Sequence, residues 1–278
     1  MIRFSASDAA LEGFQMLRTH WRVVVGWGMF NLLALVAMIV VTVILGVGIG
    51  LAAGVDQASG AAAAIGGVVG GLVTGLIETV LVVGLYRLLL RPGDPGFLHL
   101  RLGRDEGRLF LVGVIYVCGV ALFAGLAYVL TGMLGFLGVI GHVVGALLVV
   151  AVGGWLALRF GLAGPISFAE GRIDFARSWR LTRGQIWPLL GMWFLNFCLV
   201  MFVWLALYLA VFVLSGLLTG FHGFAPADDG EALTTHPGRY LIEAIVPILV
   251  LPALLVISQA PWVAAYRALS QPAAEAQA

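Results

Sequence analysis

Six apolar stretches constrain this chain more than any other feature. They fall at residues 23–50, 64–90, 109–133, 140–162, 187–218 and 241–265. A helix rises about 1.5 Å per residue, so roughly 20 apolar residues cross a hydrocarbon core of about 30 Å. Every stretch meets that length. The first and fifth exceed it, which implies tilt or extension beyond the lipid. Membrane strands would alternate apolar and polar positions over about ten residues, whereas these stretches are apolar all round. One such run could be the central helix of a soluble core. Six could not, because charged residues make up only 10% of the chain and cannot cover a soluble surface. Residues 1–22 contain Asp8 and Glu12, and the apolar run that follows is too long for a signal-peptide core. It is expected to remain as a membrane helix.

The connections alternate in charge. Lysine is absent, and fourteen of the fifteen basic residues, all arginine, lie at one set of span ends. Arg3, Arg18 and Arg22 precede the first span. Arg87, Arg91, Arg101, Arg104 and Arg108 link the second to the third. Arg159, Arg172, Arg177, Arg180 and Arg183 link the fourth to the fifth, and Arg267 follows the sixth. The other connections carry only Arg239. Basic residues concentrate on the cytoplasmic side of membrane proteins, so both termini are expected to be cytoplasmic.

The chain also repeats. Trp21 and Trp27, Phe110 and Tyr116, and Trp187 and Trp193 are aromatic pairs with one spacing, each at the start of an outgoing span. The returning spans end Leu85-Tyr86-Arg87, Ala157-Leu158-Arg159 and Ala265-Tyr266-Arg267, and each reaches a proline, at Pro92, Pro165 and Pro272. The pattern predicts an all-α integral membrane protein. Its six transmembrane helices form three helical-hairpin repeats, each preceded by a short amphipathic interfacial helix. Within a single membrane domain, the units are 1–92, 93–165 and 166–272, with a cytoplasmic tail at 273–278. The lead-in helices are expected at 5–19, 94–106 and 167–179. Ser167 and Glu170 have the spacing of a capping box, with a weaker start at Ser5 and Asp8.

Few residues suggest chemistry. There is no phosphate-binding Gly-x-x-x-x-Gly-Lys loop, no His-Glu-x-x-His and no Cys-x-x-Cys. The five histidines lack ligand spacing, and His222 with Asp228, Asp229 and Glu231 reads as a solvated acidic turn. Cys118 and Cys198 read as buried small thiols. No metal and no cofactor is expected, and a nucleic-acid role would require a denser basic surface. Glu78 is the sharpest polar position, midway along the second span, where a charge is costly. It is expected to face the bundle in a polar layer with Ser258 and Gln259. Asn31 and Asn196 are further intramembrane polar positions that could bridge helices. Pro247, Pro252 and Pro261 should kink the sixth span. The glycine pairs Gly66/Gly70, Gly67/Gly71 and Gly71/Gly75 are spaced for close helix packing. Arg172, Arg177, Trp179, Arg180, Arg183, Trp187, Arg87, Arg159 and Arg267 are expected at the headgroup level.

The segment from Arg177-Ser178-Trp179-Arg180 through Thr182-Arg183-Gly184 to Trp187, with an amphipathic lead-in before paired spans, resembles the membrane domain associated with bacterial glycerophosphoryl diester phosphodiesterases. The resemblance implies a bacterial inner-membrane component. In that family the membrane domain can be fused to a soluble phosphodiesterase domain. This chain has no soluble segment long enough for one, so no catalytic residue is carried over. Three readings stand. The first is a non-enzymatic scaffold, partner-binding or lipid-associated subunit. The second is a transporter component using a polar site near Glu78. The third is an intramembrane lipid-modifying enzyme using Arg172, Asp174 and Arg177. Expected partners are membrane lipids, with a membrane protein or a second copy of the chain as candidates.

Overall fold

The computed structural model describes residues 5–53, 60–93, 97–219 and 237–275. The helices are α1 (Ala6–Thr19), α2 (Trp21–Ala53), α3 (Gly60–Leu90), α4 (Arg104–Leu134), α5 (Val139–Phe160), α6 (Ala163–Glu170), α7 (Phe175–Leu181), α8 (Ile186–Thr219) and α9 (Pro237–Glu275). No strand occurs among the described residues. Six segments are long and apolar enough to cross a membrane: Trp21–Val41, Gly67–Leu90, Arg104–Leu137, Val139–Glu170, Ile186–Leu217 and Leu241–Ser270. Each overlaps one run expected from the sequence.

The lead-in segments differ from one another. The first is a helix as expected, and its start is capped, with Asp8 N–H donating to Ser5 Oγ at 3.4 Å. The second is not a helix. Phe97–His99 form one tight turn in which Leu98 and His99 hold φ of 54° and 59°, and α4 begins only at Arg104. A left-handed backbone at two non-glycine residues cannot continue a right-handed helix. The third is broken in two. Ser167 lies buried inside α6, so it caps nothing. Gly171, at φ 70°, ends that helix. The cap of α7 is Asp174, whose carboxylate accepts from Arg177 N–H at 2.8 Å.

By contacts the chain separates into two compact units, and these cut across the repeats read from the sequence. One comprises Met1–Ala10, Val82–Trp193 and Pro261–Ala278, the other Leu11–Leu81 and Phe194–Ala260. In the first, α4 and α5 form a hairpin through the turn Gly135–Leu137, with Gly138 at φ 63° reversing the chain. The two helices touch along glycines of α5. A Cβ on Gly141 would lie 1.9 Å from the Leu134 carbonyl oxygen, and one on Gly145 2.8 Å from Thr131. Small residues allow this approach where no hydrophobic effect drives helices together in lipid. The core of this unit gathers Leu85, Tyr86, Leu162, Ile166, Phe168 and Val263.

In the second unit, glycines again set the contacts. Gly13 lies against the Ile257 backbone and Gly28 against the Leu249 carbonyl, with would-be Cβ distances of 2.6 and 2.7 Å. By contrast, Gly67, Gly70 and Gly71 of α3 meet nothing within 4 Å. Among the described residues, these three therefore make no close helix packing. Cys118 and Cys198 are free, as expected, but exposed rather than buried. Both lie on helices whose surroundings are apolar throughout, so no hydrophobic stripe fixes their direction. The acidic turn at His222, Asp228, Asp229 and Glu231 lies outside the described residues, as do positions 94–96 of the second lead-in and 276–278 of the tail. Residues 273–275 are helical within α9.

Candidate functional site

The arginine-rich ends of α3, α4, α5 and α7 form a polar layer. Arg87 is 2% exposed and forms an ion pair with Glu106, itself 1% exposed, at the start of α4. Its Nη1 also donates to the His99 carbonyl at 3.0 Å. This second bond holds the left-handed turn. Arg91 reaches Asp105 at 3.5 Å, donates to the Phe168 carbonyl at 3.2 Å, and stands 4.6 Å above the Phe168 ring. Arg108 pairs with the other oxygen of Asp105 at 3.0 Å and donates to the Ser167 carbonyl.

Arg159, at the end of α5, is held differently. Its guanidinium lies over Trp155 and Trp179, 5.5 and 5.0 Å from the ring centroids. It donates to the Trp179 carbonyl at 3.4 Å, and Ser178 Oγ donates back to the Arg159 carbonyl at 2.8 Å. Arg267 donates to the Leu89 carbonyl. Each arginine that ends a returning span therefore ties a backbone carbonyl. Arg87, Arg159 and Arg267 were expected among headgroups. Within the fold each satisfies a carbonyl that a helix end leaves open, which a guanidinium with five donors can do.

The other headgroup candidates divide. Arg172 bridges Glu170 and Asp174, each at 3.4 Å, and Arg177 pairs with Glu170 at 2.7 Å. The trio a lipid-modifying enzyme would draw on is thus neutralised within its own cluster. Arg180 and Arg183 are exposed, and no ion pair reaches either among the described residues. Trp187 is 81% exposed at the first turn of α8. Trp179 is half-buried against Trp155 and Phe160.

The intramembrane candidates are not brought together. Glu78 is exposed on α3, with no hydrogen bond or ion pair among the described residues. Ser258 Oγ donates to the Leu255 carbonyl of its own helix at 2.9 Å, and Gln259 is half-buried. Among the described residues, Glu78 makes no hydrogen bond to Ser258 or Gln259. Glu78 points away because the buried face of α3 starts later, at Val80 and Leu81. Asn31 does bridge helices: its Nδ2 donates to the Ile248 carbonyl at 3.0 Å. That carbonyl is the one Pro252, four residues on, cannot engage. Asn196 is buried, and its Oδ1 has no hydrogen-bond partner among the described residues.

No group of three or more His, Cys, Asp or Glu suited to a metal occurs among the described residues. Among the described residues, six helices long and apolar enough to cross a bilayer define a multi-pass α-helical membrane protein. Compared with known protein families, with curated proteins and with solved structures, the chain matches none.

Proposed function

We propose that this protein is a non-enzymatic, partner-binding subunit of a bacterial inner membrane. Both termini are cytoplasmic, and it assembles laterally through the open face of α3. One observation carries the reading: Glu78 stands exposed midway along a membrane-spanning helix, without a partner among the described residues. An acid at the centre of a spanning helix costs about 3 kcal/mol on insertion scales, and such groups pair or face protein or water rather than lipid. Covering Glu78 with a second membrane polypeptide relieves that cost. Gly67, Gly70 and Gly71 lie on the same stretch of α3 and leave room for a close helix approach.

The orientation rests on the arginine asymmetry. The three-hairpin organisation draws support from Arg87, Arg159 and Arg267, which end the returning spans and each tie a carbonyl. The resemblance to the membrane domain associated with glycerophosphoryl diester phosphodiesterases fits a membrane component of this kind.

Isolation in native lipid, followed by native mass spectrometry, tests the reading. The wild type is expected as an assembly larger than one chain. Glu78→Leu, which removes the carboxyl and the need to cover it, should reduce the retained partner about tenfold, while Glu78→Gln keeps a hydrogen-bonding amide and most of the assembly. A single chain recovered alone from native lipid would overturn the proposal.

A further inference from the structure

At the end of α5, Phe160, Phe175, Ala176, Trp179 and Arg180 line an open pocket of about 450 Å³. Four of the five are apolar and the fifth carries a charge. We propose that this pocket binds an anionic phospholipid, with the phosphate on Arg180 and the glycerol–acyl portion on the aromatic floor.

The floor is built before any ligand arrives. The Trp179 ring packs on Trp155 at 5.0 Å and on Phe160 at 5.6 Å. Phe175 packs on Phe160 at 6.0 Å and on Tyr116 at 5.8 Å. Tyr116 hydroxyl donates to the Phe160 carbonyl, which fixes the end of α5. The Asp174 cap and the Ser178–Arg159 bond hold α7 across that end. A pocket whose side chains are already ordered loses little entropy on binding.

The charge also has one reading. Arg159, beneath Trp179, is occupied by two rings and the Trp179 carbonyl. Arg177 is occupied by Glu170. Arg180 has no carboxylate in reach among the described residues, nor does Arg183 three positions on. Arg180 therefore lines the pocket with its charge unneutralised among the described residues, and a guanidinium's fork of donors suits phosphate oxygens. The pocket lies at the end of α5, within the arginine-rich connection that the charge pattern puts near the cytoplasmic headgroups. A free phosphate would use Arg180 and leave the aromatic surface uncovered, whereas a phospholipid covers both. Glu78 plays no part in this site.

The purified full-length protein in nanodiscs of phosphatidylcholine doped with phosphatidylglycerol tests it, by counting lipids retained in native mass spectrometry. The wild type should retain phosphatidylglycerol over phosphatidylcholine. Arg180→Gln should reduce that preference about fivefold, the worth of one arginine near an anionic surface. Trp179→Leu should reduce retention of both lipids. Arg172→Gln, which changes an exposed arginine outside the pocket, should leave the preference intact. Inorganic phosphate added in excess should not displace the lipid. Unchanged preference in Arg180→Gln, or an equal loss in Arg172→Gln, would overturn the site. Displacement by phosphate would reduce it to simple anion binding and overturn the lipid assignment.

Discussion

Arg87 and Glu106 are both almost fully buried, so their charges have left water and depend on each other. Such a pair contributes little net stability when whole, but breaking it is costly. Glu106→Leu alone would strand the Arg87 guanidinium and should cost about 3–5 kcal/mol. The double variant Arg87→Met/Glu106→Leu removes both charges and should recover most of that loss. Thermal unfolding of the purified proteins in one detergent checks the order. A double variant as unstable as the single would show that the His99 carbonyl bond, rather than the ion pair, is the larger contribution. Arg172 offers the contrast. Its side chain is 62% exposed and stands 3.4 Å from both the Glu170 and Asp174 carboxylates, so Arg172→Gln should change stability by no more than about 0.5–1 kcal/mol.

At the scale of the helix, proline and asparagine act together. Pro252 leaves the Ile248 carbonyl without its helical donor, and Asn31 from α2 supplies one. Asn31→Leu should therefore cost about 1–2 kcal/mol, the penalty for a buried unsatisfied carbonyl. In a Pro252→Ala background, where a backbone N–H returns, the same substitution should cost clearly less. Equal losses in both backgrounds, measured by thermal unfolding in detergent, would refute the coupling. The glycines give a second contrast. Gly28→Ala would push a methyl group into the Leu249 carbonyl, and destabilisation of about 1–3 kcal/mol is expected on the same assay. Gly71→Ala enters open space and should be neutral or stabilising for the isolated chain. The sequence could not distinguish these glycines. Gly71 has the better packing spacing, but the partner of a glycine lies elsewhere in the chain, as Leu249 does for Gly28. The number of spans and their approximate positions were legible because they depend on hydropathy and rise alone. The direction Glu78 faces was not, since α3 is apolar all round and offers no stripe to orient it. Nor was the end of α6: the capping-box spacing at Ser167 and Glu170 is local, but the burial of Ser167 depends on tertiary packing.

At the scale of the molecule, fourteen of the fifteen arginines fall at alternate span ends, which under the positive-inside rule favours one of the two orientations that six spans alone leave equal. Some of those arginines are structural. Arg87, Arg159 and Arg267 hold carbonyls in place, so they cannot be moved to invert the protein without damaging it. Arg18, Arg22, Arg104, Arg180 and Arg183 are exposed and have no ion-pair partner among the described residues, so they are available to interact with the bilayer surface. Sidedness can be read directly. In a background with Cys118→Ala and Cys198→Ala, single cysteines can be placed at Gly93, in the exposed turn after α3, and at Phe136, 81% exposed between α4 and α5. The positive-inside rule puts Gly93 in the cytoplasm and Phe136 on the opposite side. A membrane-impermeant maleimide added to intact cells should label the Phe136→Cys protein, provided the reagent can cross any outer membrane. It should label the Gly93→Cys protein only after the inner membrane is permeabilised. The reverse pattern would invert the orientation and place the Arg180 pocket on the other leaflet. Labelling of both before permeabilisation would contradict the hairpin connecting α4 and α5 across the bilayer.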